Sequence, residues 1–375
     1  MLNTFDRYFL PAVTTAFFNL VIIGVALLMV PWFESRGIPG IYAVGFGAVA
    51  GGALQILVQA PTLARLGFRF RFRIQLKHPD LVHIGRLIGP AFLGVGMTQL
   101  TVLISTILAS TLGDGPISWL NFAFRIIYLP IGLFGVAIGI VNLREVSAYA
   151  AEENWKELKE TVANSLRMVI CLAIPSTLGL MVLATPIVGT IFERGRFDAF
   201  DTQQTAAALI LYAIGLTSYS CVKIYVPTFY ALNDTRSPVR VSMITALVHI
   251  TTNLLMIFVL CPTGYEFLGL AFATSLSLIL NQTLLARKLQ SKLGSFQGLG
   301  VGEVAKKALL SSLLMAASVF ALSWWLAPYE LEGVGRILAL GACIALGAVV
   351  YLLAAMALKL EEVKLMITRG GEAGR

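Results

Sequence analysis

Apolar residues along this chain fall into long blocks separated by short polar breaks. Ten blocks recur, at 9–32, 39–63, 84–112, 116–142, 163–190, 203–231, 238–261, 264–287, 303–327 and 334–358. Each is close to the roughly 20 residues that a helix needs to cross a bilayer core, and far longer than a membrane barrel strand. Only helices and closed barrels leave no backbone group unpaired in lipid. The pattern predicts an all-α, polytopic membrane protein of about ten transmembrane helices.

The polar breaks carry the topology. With the N-terminus on the cytoplasmic side, the outer segments hold only Arg36, Arg194, Arg196 and Arg336 of the 28 lysines and arginines. Arg125 and Lys223 lie within spans, and all the rest fall on the inner side. Such asymmetry follows the positive-inside rule and predicts both termini in the cytoplasm. Two inner segments have texture of their own. Residues 68–77 alternate aromatic or aliphatic with basic side chains, which suits an extended segment against anionic lipid headgroups or ordinary topology-setting charge. Residues 151–167 repeat Trp155, Leu158, Val162 and Leu166 every three or four positions, predicting an amphipathic connector along the inner interface.

Composition agrees. The chain has 375 residues, 57% hydrophobic and 13% charged, against about 25% charged in a soluble domain. Its formal charge of +8 is concentrated in inner loops, which points to a membrane surface and not to nucleic acid. Gly47 with Gly51, and Gly135 with Gly139, have the four-residue spacing that lets helices approach closely. Prolines in or beside the blocks, among them Pro130, Pro175 and Pro227, predict kinks.

Enzyme signatures are missing. No Gly-rich phosphate loop or His/Glu or Cys/His metal pattern occurs, so no catalytic residue, metal or cofactor is expected. Cys171, Cys221, Cys261 and Cys343 are widely spaced in apolar surroundings and read as packing residues. His78 and His83 fall in the basic loop and read as solvated.

Polar residues at membrane depth are the candidates. A central arginine costs about 2.5–3.5 kcal/mol to insert, so Arg125 needs a partner, a wet cavity, or a route to the outer surface. No Asp or Glu lies deep within a block, and an unpaired guanidinium suits phosphate oxygens, which it grips with two parallel hydrogen bonds. Lys223 either snorkels to the inner headgroups or joins the same task. Asn121, Gln99, Gln55, Gln59, Asn253 and Asn281 suit interhelical hydrogen bonds. His249 and Asn253 share a helix face, and with Ser105 they could form a polar or cation niche.

Several stretches resemble the MurJ/MviN lipid II flippases of the multidrug/oligosaccharidyl-lipid/polysaccharide exporter superfamily. They are Ser118-Trp119-Leu120 through Arg125, then Leu129-Pro130 through Gly139. To these are added the outer loop Phe192-Glu193-Arg194-Gly195-Arg196-Phe197-Asp198, and Phe229 through Val239 with Lys223 before it. The resemblance spans essentially the whole chain.

It implies a two-lobe transporter of fourteen helices around a cationic cavity, with the last two helices forming a groove for the lipid tail. Leu2-Asn3 and Phe9 through Ala12 resemble the start of the fifth helix. The chain would then lack the first four, and an incomplete gene or a misplaced start is expected. Residues 1–63 would be the remnant of the first lobe and 64–83 a basic cytoplasmic loop. Residues 84–290 would be the second lobe, and 291–375 two final helices and a tail. Of the family's cavity arginines only Arg125 carries over, with Ser118 on its helix; Asn121, Gln99 and Lys223 join them as expected substrate contacts. Ser105, His249 and Asn253 stand where some members bind sodium through acidic and amide groups, which puts sodium coupling in doubt.

The implied activity is alternating-access export of undecaprenyl-pyrophosphate-linked peptidoglycan precursor across the bacterial inner membrane. Membrane lipids, and peptidoglycan synthases that consume the product, are the implied partners. Two other readings stay open: export of another polyprenyl-linked saccharide, and a non-transporting membrane scaffold.

Overall fold

A computed structural model describes residues 9–67, 96–97, 99–262, 264–326 and 333–363. The alternating segment 68–77, His78, His83, residues 84–95 and 98 of the block 84–112, and the C-terminal tail lie outside the described residues. The chain divides into two compact units, Met1–Leu81 and Val82–Arg375.

The first unit is a helical hairpin of α1 (Phe9–Glu34) and α2 (Ile41–Arg65). Gly47 and Gly51 sit where α1 comes closest. A Cβ added at Gly47 would meet the Ile22 Cα at 3.1 Å, and one at Gly51 the Phe18 carbonyl oxygen at 3.0 Å. The expected glycine contact is therefore present, since only a missing Cβ allows two backbones so near. Gln59 Nε2 donates to Thr14 Oγ1 at 2.9 Å, settling one amide between the helices.

The second unit is a helix bundle. The first of its described helices is the short α3 (Gln99–Ser110). A 36-residue span follows, Pro116–Ala151, made of α4 (Pro116–Pro130), a π segment (Ile131–Val136) and α5 (Ala137–Ala151). Pro130 has no N–H to continue the ladder, and the widened π turn follows at once. Then come α6 (Trp155–Val182), the short α7 (Ala184–Phe192), and the pair α8 (Ala199–Ile214) and α9 (Leu216–Ala231). Next are α10 (Arg236–Leu255) with a π segment (Met256–Leu260), α11 (Glu266–Leu293), α12 (Val301–Leu326) and α13 (Gly333–Ala357).

Among the described residues eight helical stretches are long and apolar enough to cross a bilayer, and α8 with α9 makes a ninth, bent by 45°. The block 84–112 is represented by α3. Apolar side chains point outward along these spans: Leu28 is 79% exposed and Trp324 75%, a surface that only lipid would cover. Among the described residues the only extended pairing is an isolated bridge between Arg194 and Phe197.

The predicted inner connector is corrected. Residues 155–167 run without a break into α6, which Asn154 caps by accepting from the Glu157 N–H at 3.3 Å. Leu158, Val162 and Leu166 are buried in the bundle core rather than laid on an interface, and only Trp155 stays half exposed. Periodicity reported an apolar stripe correctly, but a stripe does not say whether lipid headgroups or other helices cover it. The block 163–190 also ends early, at Val182, with α7 separate beyond it.

The bend between α8 and α9 has a local cause. Ser275 Oγ of α11 donates to the Leu211 carbonyl at 2.6 Å and lies 3.2 Å from that of Tyr212. These are carbonyls near the break at Gly215. A side chain inserted into the ladder bends a helix. Gly215 admits Ser275, whose Cα would stand 2.9 Å from an added Cβ.

The cysteines are free, and Cys171, Cys221 and Cys343 are buried as packing residues. Cys171 and Cys343 belong to a second apolar cluster that joins α12 and α13 to α6, with Met315, Val319, Leu340 and Tyr351.

Candidate functional site

A half-open cavity of about 570 Å³ enters the second unit between α3, α4, α8–α9, α10 and α11. Its position follows from close helix approach on the far side of α9. Cβ atoms added at Gly135 and Gly139 would stand 3.1 Å from the Ser220 Cα and 2.6 Å from the Lys223 carbonyl oxygen. This small-residue pair, legible in the sequence, seats α9 on the long α4–α5 span and turns its other face inward.

That inward face presents Tyr219, Lys223 and Tyr230, with Tyr212 of α8 beyond the bend. Lys223 Nζ lies 4.6 Å over the Tyr219 ring, whose centroid is 6.3 Å from that of Tyr128. An aromatic face steadies an ammonium without consuming its N–H donors. Hydroxyls and amides complete the wall: Ser105, Asn121, Ser242, Thr245, Thr274 and Asn281. Lys223 is the one permanently charged residue among the described lining, and no carboxylate accompanies it. An anion could therefore enter and find one ammonium with many neutral donors. A cation would find no counter-charge.

The sequence candidates separate into two groups. Asn121, Lys223, Ser105 and His249 line the cavity. Arg125 and Ser118 do not; they are exposed on the neighbouring strip of α4. Arg125 is one turn beyond Asn121 and makes no ion pair or hydrogen bond among the described residues. Gln99 is exposed on α3. Asn253 is fully buried behind the wall, its Nδ2 3.1 Å from both Ser105 Oγ and His249 Nε2. Among the described residues no group of His, Cys, Asp and Glu could hold a metal ion.

The tyrosines were missed by the reading of polar residues alone. Their spacing held a signal: Tyr219, Lys223 and Tyr230 recur at four and seven residues, one stripe of α9.

The loop 192–198 holds α4 in place. Trp119 Nε1 donates to Asp201 Oδ1 at 2.7 Å, and Asp201 and Asp198 form the capping box that starts α8. Phe122 packs against Phe192 at 4.6 Å and Phe197 at 5.5 Å between ring centroids. Glu193 accepts from the Thr202 hydroxyl at 2.9 Å and pairs with Arg336 of α13 at 3.4 Å.

At the other end, Asp234 pairs with Lys292 Nζ at 2.6 Å and accepts from the Ser237 N–H at 3.0 Å. Burial alone would raise its carboxyl pKa. Lys292 and Ser237 outweigh that and hold it well below the usual carboxylate range.

A family model described as lipid II flippase MurJ matches residues 1–338. The chain belongs to the MurJ family. It is 33% identical to the probable lipid II flippase MurJ of Vibrio cholerae, over 97% of this chain and 68% of that protein. It is 31% identical to the lipid II flippase MurJ of Burkholderia cenocepacia, over 94% of this chain and 67% of that one. A solved structure titled lipid II flippase MurJ, inward closed conformation, superposes with a TM-score of 0.75 at 25% identity, covering 94% of this chain and 68% of its own. The chain thus spans about two thirds of the length of these MurJ relatives. Motifs that suggested the family are, in this structure, the pieces around the cavity. The span Ser118–Gly139 supplies its α4 wall and glycine seat, and the two hallmark loops clamp the ends of α8 and α10.

Proposed function

We propose that this protein is a lipid II flippase, carrying undecaprenyl-pyrophosphate-linked peptidoglycan precursor across the bacterial cytoplasmic membrane. The observation that carries the reading is the cavity itself: a hollow of about 570 Å³ within a membrane-spanning bundle, with Lys223 charged and no carboxylate on its described wall. Family membership supports the same substrate. A wall of hydroxyls, amides and tyrosines around one ammonium matches a ligand that is part phosphate and part saccharide. Lys223 and Asn121 contact the polar headgroup. Arg125, one turn along α4 and free of any protein partner among the described residues, contacts the pyrophosphate from the adjoining exposed strip, with Ser118 beside it.

Both termini face the cytoplasm in this reading, because basic residues gather in the inner loops. Transport runs by alternating access, each state favoured by its differential affinity for the ligand. The membrane potential assists: each negative charge of the pyrophosphate gains about 2.3 kcal/mol per 100 mV on leaving the negative side. Lys223 and Arg125 stay behind, so their charges do not cancel that gain. The flipped lipid passes to peptidoglycan synthases on the outer face.

The test is growth of a strain depleted of its own flippase, together with transfer of labelled lipid II in proteoliposomes. Rescue and transfer are expected from this chain, with both reduced in Lys223→Ala and Arg125→Ala at normal membrane levels. Unimpaired growth and transfer in both variants would refute the assigned contacts; no transfer by the parent chain would refute the activity.

A further inference from the structure

One polar cluster on the cavity wall does more than join helices. Ser105 of α3 lies 2.9 Å from His249 Nε2 on α10, and Ser277 of α11 lies 3.3 Å from His249 Nδ1. Ser277 spends its own proton on the Thr274 carbonyl, at 2.7 Å, so it accepts from Nδ1. The network thereby assigns the hydrogen of the neutral ring to Nδ1. Nε2 is left as a bare acceptor, with the Ser105 hydroxyl and the Asn253 amide nitrogen both aimed at it. Meanwhile Asn253 Oδ1, in a side chain with no exposed surface, accepts no hydrogen bond. A buried acceptor without a donor is costly, and it marks a site that another state completes.

We propose that His249 is a proton-binding site of the cavity, with Asn253 as the amide that turns to hold the protonated ring. A proton taken from cavity water onto Nε2 converts that atom from acceptor to donor. The amide nitrogen facing it then becomes a misfit. Turning the Asn253 amide by half a rotation puts Oδ1 where Nδ2 stands, 3.1 Å from both Nε2 and Ser105 Oγ. Both can then donate to it, and the oxygen unused in the neutral state becomes the acceptor of the charged one. No bond other than N–H forms.

The surroundings favour a proton over a metal ion. From α3 the facing group is Ser105, and from α11 it is Ser277; neither titrates. The π segment Met256–Leu260 carries no titratable side chain. From α9, Tyr219 and the positive Lys223 share the cavity. No carboxylate stands among the described cavity lining to balance a bound sodium ion, whereas an imidazole nitrogen can itself take up a proton.

The chain contains three histidines, so His78→Gln with His83→Gln leaves His249 as the only imidazole. In that protein, labelled with 15N-histidine in lipid nanodiscs, solid-state nuclear magnetic resonance reads each ring nitrogen from about pH 8 to about pH 4.5. Expected is a neutral ring protonated at Nδ1 at the upper end, reversible conversion to the doubly protonated ring on acidification, and no response to exchanging sodium for potassium. Asn253→Ala weakens proton affinity by about tenfold or more, one pH unit, and Asn253→Asp strengthens it by at least as much. A ring that stays neutral throughout, a spectrum that responds to sodium at fixed pH, or a midpoint indifferent to both substitutions overturns the proposal. The aspartate variant keeps the test decisive if the alanine variant does not fold. None of these readings depends on which lipid the protein carries.

Discussion

Two cations in the second unit, Arg167 and Lys223, live in opposite circumstances. Arg167 of α6 is held by groups of the protein itself. Its Nε lies 3.0 Å from Glu362 Oε1, and its Nη groups donate to the Leu299 carbonyl at 3.0 Å and to Asn164 Oδ1 at 2.6 Å. It ties the residues flanking α12 and α13 to the bundle. Lys223 of α9 has only a tyrosine face beneath it and an open hollow in front. A cation whose hydrogen bonds are spent on the protein holds structure together. One whose donors are left over can bind something that arrives. Charge at membrane depth therefore says little until its partners are counted.

The contrast is broken most strongly at Arg167. Arg167→Ala strands Glu362, which is 7% exposed, and should cost about 3 kcal/mol, with the loss read as a lower unfolding temperature in detergent. Replacing both partners with Met and Leu should recover most of that, since no buried charge is then left alone. Lys223→Ala should do the reverse. Stability should stay within about 0.5 kcal/mol, while lipid II transfer falls roughly tenfold to a hundredfold, the worth of about 1.4–2.7 kcal/mol of anion binding.

Gly139→Ala sharpens the comparison by moving Lys223 without removing it. The added methyl would press on the Lys223 carbonyl from 2.6 Å, costing about 1–3 kcal/mol and shifting the ammonium from its tyrosine. Stability and transfer should drop together. Gly132→Ala, where nothing lies within 4 Å, is the control.

The smallest effect belongs to the pair Asp234–Lys292, whose ammonium is open to solvent. Because the Asp234 carboxyl is held below its unfolded value, its contribution is complete above about pH 4 and fades as acid protonates it in the folded state. Asp234→Asn should therefore cost about 0.5–1 kcal/mol at neutral pH and progressively less below pH 4, read by unfolding at both pH values. An equal loss at the two would mean the ion pair is not the source.

Much of this molecule was legible one residue at a time. The spans, the glycine pairs Gly47/Gly51 and Gly135/Gly139 and the packing cysteines depend on local composition and spacing. The niche of Ser105, His249 and Asn253 was foreseeable as a possibility, because two of its members are four apart on one helix. The expectation that Arg125, Ser118 and Gln99 would share a hollow with Lys223 had no such basis, and the structure puts them on other strips. Arg125 and Asn121 differ by one turn and about 40° around α4, enough to place one beside the cavity and the other in it. Likewise, the stripe on residues 155–167 met helices instead of headgroups.

Hydropathy settles which stretches enter a membrane because the cost of backbone and charge in lipid is paid segment by segment, whatever the neighbours do. Family is legible for a related reason, since the motifs that carry it are contiguous in the sequence. Partnership is a different kind of quantity. Whether Arg167 is spent and Lys223 is not, where Ser275 bends α8 away from α9, and which oxygen of Asn253 goes without a donor all depend on residues tens of positions apart meeting within 3–4 Å, a distance that no one-dimensional pattern encodes.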